Sequence, residues 1–249
     1  MLGREEKKHI MNSHTPQLTV SPTTKRTPNF ASAIWLTALL CMAFTFPAHA
    51  GVSVTPLLLS DDFDTGNAVG MAPVNWKTRA PEGTSVRVVD AKTQEASSAP
   101  YCVELVDNSP TGRAEMYRNF SPSESGRVRA AFKMNSLTTG HSALMLHGAR
   151  TGNLCSVILA GKGVIRYQQE GGTTNSSAVW TAGQWQTVQI EWFNDFTFSA
   201  SLGDTQLVNH AHFITNEVPG RVSIIVGYGR ATNCVGYVDD LKVLGTEPH

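Results

Sequence analysis

The strongest constraint in this chain is a two-residue period in its apolar residues. It recurs from segment to segment and is interrupted every 8 to 12 positions by turn-forming residues. Val128, Ala130, Phe132 and Met134 alternate with Arg127, Arg129, Ala131 and Lys133. Val188, Ile190 and Trp192 form a second such row, Phe198, Ala200 and Leu202 a third, and Val222, Ile224 and Val226 a fourth. Successive side chains of a strand point to opposite faces, so each row predicts an antiparallel strand with one face on a core and one facing water. Further strands are predicted at 57–63, 85–90, 101–107, 113–120, 142–147, 154–159, 164–169 and 234–244. Gly161-Lys162-Gly163 lies between two of them and predicts a hairpin. No window of helical length keeps an i, i+3, i+4 apolar stripe. About a dozen short strands imply an all-β fold, a two-sheet antiparallel jelly-roll sandwich.

The first 50 residues read differently. Lys25-Arg26 precedes a 16-residue uncharged apolar run from Ala31 to Phe46, and Ala48 and Ala50 suit an A-x-A cleavage site. That is the pattern of a secretory signal with a long leader, cleaved after Ala50, with Met1 or Met11 as the start. The run is shorter than the roughly 20 residues a spanning helix needs, which leaves an uncleaved anchor as the alternative. Residues 51–249 are then expected to form one secreted or periplasmic domain with no membrane contact after cleavage. Setting aside five basic and two acidic leader residues, this part has 15 Lys and Arg against 18 Asp and Glu. A slight negative excess offers no general attraction to nucleic acid. Cys102, Cys155 and Cys234 permit one disulfide and one thiol, or three buried small hydrophobes.

Asp62-Phe63-Asp64, followed by Gly70, Pro73 and Trp76, resembles the entry strand of the concanavalin A-like lectin/glucanase jelly rolls, especially their laminin-G-like members. Gly183-Gln184-Trp185 leading into Val188, Ile190 and Trp192 is similar to their G-x-W strand. Tyr237-Val238-Asp239-Asp240-Leu241-Lys242-Val243 is similar to their closing strand. The resemblance covers residues 57–244. It implies the sandwich but not the activity, because lectins, hydrolases, lyases and spacers share it.

Acidic pairs are poor strand formers, so Asp62, Asp64, Asp239 and Asp240 need a local reason. Strand parity places Asp239 beside Tyr237, Leu241 and Val243, on the face expected to be inward. An inward carboxylate needs a cation, an arginine or N–H donors. A structural Ca²⁺ fits hard oxygen ligands, and a capped carboxylate without metal is the alternative.

The outward positions include Arg113, Arg127, Arg129, Lys133, Arg166 and Gln168, with Tyr117 and His147 among them. This row suits an acidic polysaccharide, because guanidinium pairs bidentately with carboxylate and sulfate. An ordinary solvated sheet face is the plain alternative. Trp180, beside the 171–177 loop, is the candidate for an exposed sugar-stacking aromatic. A glycan-binding module is therefore expected.

Catalysis has one foothold. A polysaccharide lyase acting by β-elimination would use Tyr117 or His147 as base and acid, with Arg129 or Arg166 neutralising the uronate. A retaining glucanase is disfavoured: it needs two carboxylates about 5 Å apart, and Glu115 and Glu191 stand alone. His210 and His212 share a strand face and read as surface histidines. Esterase, kinase and dinucleotide fingerprints do not occur.

Overall fold

The computed structural model describes residues 56–93, 97–98, 100–136, 141–150, 152–227 and 233–246. The leader read over residues 1–50 lies outside them. In chain order the strands are β1 (Leu57–Asp61), β2 (Lys77–Arg79), β3 (Thr84–Asp90), β4 (Tyr101–Asp107) and β5 (Ala114–Asn119). They continue with β6 (Gly126–Met134), β7 (Ser142–Gly148), β8 (Asn153–Leu159), β9 (Val164–Gln169) and β10 (Gly172–Val179). The last five are β11 (Gln186–Trp192), β12 (Thr197–Leu202), β13 (Thr205–His212), β14 (Pro219–Val226) and β15 (Cys234–Gly245).

Two antiparallel sheets pack face to face. One has seven strands in the order β10-β9-β8-β7-β14-β5-β2. The other has eight, in the order β13-β12-β11-β6-β15-β4-β3 with β1 also paired to β15. The predicted inward rows do meet in the core. Val128, Phe132, Ile190, Trp192, Phe198, Val222 and Ile224 are all buried there, with Phe63 and Phe213 among the largest enclosed side chains. The predicted hairpin pairs Val157 with Tyr167 and Leu159 with Ile165. Lys162 (φ 63°) and Gly163 (φ 76°) supply the left-handed backbone of its turn.

Three sequence expectations need correcting. The 171–177 segment is not a loop: β10 runs through it and pairs with β9, Thr173 opposite Gln168 and Asn175 opposite Arg166. Its residues are mostly exposed and polar, so no alternation marked it. The three exposed residues of β2 escaped for the same reason. In β15, parity fails at a bulge. Asp240 takes a left-handed φ of 49°, and the register against β6 shifts between Asp239 and Lys242. Asp239 lies opposite Ala131 and Tyr237 opposite Lys133, so both share the outer face of the eight-stranded sheet. Core packing passes from Val238 directly to Leu241.

Candidate functional site

The chain ends do meet, as the acidic clusters suggested: Asp61 of β1 lies opposite Leu241 of β15. Each seam carboxylate, however, takes donors from the protein. Asp61 Oδ2 accepts from Trp76 Nε1 at 2.9 Å and from Arg118 Nη1 at 3.1 Å. Asp64 Oδ1 accepts from the Tyr101 N–H at 2.9 Å, and Asp62 Oδ1 from the Asp64 N–H at 3.1 Å. Asp239 has no exposed surface. Its Oδ2 accepts from the N–H of Ser98 at 2.7 Å and the hydroxyl at 3.0 Å, and its Oδ1 from the Asp240 N–H at 2.8 Å. Asp240 Oδ2 accepts from the Ser97 hydroxyl at 2.8 Å. These partners are N–H and O–H donors of the kind that offset the desolvation of a buried carboxylate. Among the described residues, no group of three or more His, Cys, Asp or Glu side chains is arranged to hold a metal ion. The desolvated Asp239 carboxyl is nevertheless pushed up to about 6.

The three described cysteines are free and buried. Burial pushes the Cys102 thiol up to about 12 and the Cys234 thiol to about 11. Cys155 and Cys234 belong to the core between the sheets, while Cys102 is enclosed on the outer face beside Asp239 and Glu104.

A groove of about 510 Å³ opens on the outer face of the seven-stranded sheet. Residues directly opposite on paired strands point to the same side, so the ladder sets out this sheet face in rows. One row runs Glu115, Ile225, Ala143, Ile158, Arg166 across β5, β14, β7, β8 and β9. The next runs Tyr117, Ser223, Met145, Ser156, Gln168 over the same strands. A third sets Arg221, His147 and Asn153 side by side. An apolar centre of Ala143, Met145, Ile158 and Ile225 is thus framed by cationic and amide groups.

Electrostatics follow from these placements. Glu115 is buried and pairs with Arg113 at 3.2 Å and Arg79 at 3.7 Å, which spends its charge inside the sheet face. Arg221 sits over the Tyr117 ring, 5.0 Å from its centroid. Asn153 Nδ2 donates to Gln168 Oε1 at 2.7 Å, and the Ser156 hydroxyl adds a bond to the same oxygen at 3.3 Å. Burial holds the His147 imidazole below its ordinary value; Arg221 and Arg113 act the same way, against the opposing pull of Glu115. Burial and the Arg166 charge do likewise to His141. Three buried polar atoms at the groove have no protein partner: His147 Nε2, Asn153 Oδ1 and Arg166 Nε.

Arg113, His147, Arg166 and Gln168 therefore come together, as expected. Tyr117 shares the face but lies outside the groove lining, engaged with Arg221. Arg127, Arg129 and Lys133 do not join them. They project from β6 on the outer face of the other sheet, where Arg127 lies opposite Glu191 and Arg129 opposite Gln189. The expected four-residue lyase set of Tyr117, His147, Arg129 and Arg166 is not assembled. Trp180 is no stacking platform: it is 3% exposed, packs in the core, and its Nε1–H donates to the Ala160 carbonyl at 2.6 Å. Glu115 and Glu191 occupy opposite faces, and among the described residues no carboxylate lines the groove, so the two-carboxylate mechanism finds no site among them. His210 and His212 are exposed on β13, and the His210 ring stacks on Phe193 at 4.5 Å. His141 and Asn153 were missed because His141 immediately precedes β7 and Asn153 opens β8, where the apolar alternation of the sequence has not begun.

No protein-family profile and no curated protein sequence matches this chain. Solved structures do match its fold. A structure titled "Sialidase" superposes with a TM-score of 0.64 at 14% identity, over 78% of this chain and 19% of its own. This chain thus spans about a fifth of that protein's length. The cellulose induced protein Cip1 gives 0.58 at 17% identity, covering 76% of this chain and 97% of its own. SCLam, a non-specific endo-β-1,3(4)-glucanase from family GH16, gives 0.50 at 11% identity, covering 77% and 91%. Sheet order and these superpositions together show the fold to be an all-β, two-sheet antiparallel jelly-roll sandwich.

Proposed function

We propose that this chain is an exported, lectin-like module that holds an acidic polysaccharide across the outer face of its seven-stranded sheet. The observation that carries this reading is the groove of about 510 Å³, whose apolar centre is framed by Arg113, Arg166, His147, Asn153 and Gln168. That volume lies within the roughly 300–1,000 Å³ usual for ligand sites. Arg166 supplies the guanidinium for an anionic group, because no described carboxylate pairs with it. The names of the sialidase and the glucanase, two carbohydrate-active proteins of this fold, support the glycan class. The leader ending at Ala50 supports export, where such polymers occur.

Affinity electrophoresis through gels containing polygalacturonate, alginate, hyaluronan or a neutral glucan tests the reading. Retardation by an acidic polymer is expected, with Arg166→Ala losing most of it. Equal mobility in every gel would leave a structural envelope protein as the better description.

A second reading rests on His147. It lines the same groove as Arg166, and its depressed basicity suits a general base for β-elimination from a uronate. Unsaturated product absorbing in the ultraviolet, lost in His147→Ala, would establish the lyase. A flat trace with retained binding would exclude it.

A further inference from the structure

Arg127 and Arg129 play no part in the groove; they project from β6 on the opposite side of the sandwich. Cross-strand pairing through Arg129 draws a single row over that face. It runs Ser60, Lys242, Arg129, Gln189, Ser201, Gln206, on β1, β15, β6, β11, β12 and β13. Every side chain in it is exposed or half-buried, whereas neighbours along the same strands, such as Val128, Ile190 and Val243, pack in the core. Lys242 and Arg129 stand directly opposite one another, a placement that brings Cβ atoms to about 5 Å. Like charges so placed repel, and among the described residues neither has an ion-pair partner. The adjacent row is balanced by contrast, with Arg127 opposite Glu191. Upstream in β15, Asp239 is engaged by Ser98 and Asp240 by Ser97.

Two unneutralised cations pointing to solvent from adjacent strands suit one anionic group whose oxygens bridge both heads. Beyond them the row continues in amides and a hydroxyl. Gln189, Ser201 and Gln206 line a shallow cleft of about 200 Å³, flanked by the exposed carboxylates of Glu191 and Asp204. Those carboxylates accept from sugar hydroxyls and repel a second anion. Strands lie about 4.8 Å apart, close to the advance per residue of an extended glycan. An acidic sugar on the cation pair therefore places its neighbour toward the cleft. A nucleic acid or an anionic lipid surface, charged at every unit, meets Glu191 and Asp204 unfavourably.

We propose that this row is a second polysaccharide site, taking the anionic group of an acidic sugar on Lys242 and Arg129 and a neutral neighbour in the cleft. A polymer that alternates acidic and neutral residues fits it better than one charged at every residue. The row lies on the side of the sandwich turned away from the groove, so a molecule with both sites filled bridges two polymer chains. The bridging rests on the reading of the groove as a glycan site; the second site stands without it.

Affinity electrophoresis and light scattering with hyaluronan, whose acidic and neutral sugars alternate, test it on the full chain. Arg166→Ala weakens the groove, and Arg129→Gln with Lys242→Gln weakens the row. The row variant loses a like-charge opposition, so its melting temperature is expected to hold or rise. Hyaluronan is expected still to retard the Arg166→Ala chain, and adding the row substitutions should weaken that binding about tenfold or more. Long hyaluronan mixed with the native chain is expected to scatter light increasingly as bridges form, an effect that the row substitutions alone suppress. Binding and scattering undiminished by the row substitutions overturn the second site. Retardation that survives Arg166→Ala in full, without scattering, overturns the groove and the bridge but keeps the row. Equal retardation by duplex DNA overturns the glycan assignment of the row. Since the row variant is compared directly with the native chain, a failure of Arg166→Ala to fold leaves the test intact.

Discussion

Asp239 has no exposed surface, yet three protein donors reach its carboxylate and its acidity is still weakened by burial. The sign of the resulting pH effect is definite. The folded carboxyl titrates at about 6 against an ordinary 3.8, so the folded state binds the proton more tightly between those values. Its contribution to stability is full below about pH 4 and is lost as pH rises to about 6, a change on the order of 3 kcal/mol. Denaturant unfolding across pH 4 to 7 should show that falling component in the native chain and not in Asp239→Asn. We keep a structural calcium ion at this seam as a proposal: chelator is then expected to lower the melting temperature and Asp239→Ala to remove that sensitivity, and an unchanged melting curve in chelator rules the ion out. Gly227 is a second demanding residue. Its φ is 81° and an added Cβ would collide with the Asp107 carboxylate, itself held by the Ser109 N–H at 2.9 Å. Gly227→Ala is expected to lose about 1–3 kcal/mol, measured by the same unfolding.

At the scale of single strands, alternation marked inward and outward faces well wherever a strand is half buried. It identified β6, β11, β12 and β14 with the right residues in the core. It was silent for β2 and β10, whose side chains are mostly in water and so carry no apolar signal. For the groove the limit was different. Parity says which side of a strand faces outward, but not which of two outer faces that is. Arg129 and Arg166 looked equivalent along the chain, yet β6 lies between β11 and β15 while β9 lies between β8 and β10. Strand order is set by long-range packing, and no local pattern encodes it. Trp180 failed for a related reason. A tryptophan next to a polar stretch looks exposed until the hairpin of β9 and β10 folds it over the core.

The whole molecule is held by its two packed sheets without a covalent clip among the described cysteines. Cys102, Cys155 and Cys234 are each enclosed, with thiolate formation opposed by burial. Labelling by a thiol reagent should thus be slow in the native protein, with these three reacting together once the sandwich opens. Reductant is expected to leave the melting temperature unchanged; a reductant-dependent shift would reveal a bridge. The two outer faces also divide the work. The eight-stranded sheet turns charged ladders such as Arg127 opposite Glu191 to solvent, whereas the other sheet keeps the groove.

The left-handed turn of Asp240 makes the closing strand a counted object. Upstream of it Val238 packs inward, downstream Leu241 and Val243 do, and one extra residue absorbs the difference. Substitution at Asp240 perturbs a side chain; deletion changes the count. Removing Asp240 would leave Val238 and Leu241 separated by a single residue, restoring plain alternation. Leu241 would then face Ala130 in an unbroken ladder, with Lys242 still opposite Arg129 and Asp61 still opposite Leu241. Deletion of Asp240 is therefore expected to leave the domain folded, whereas deletion of Lys242, which turns Val243 to the other face, is expected to unfold it, as circular dichroism of the two variants would show. The seam at which this chain closes is specified less by its charges than by its arithmetic.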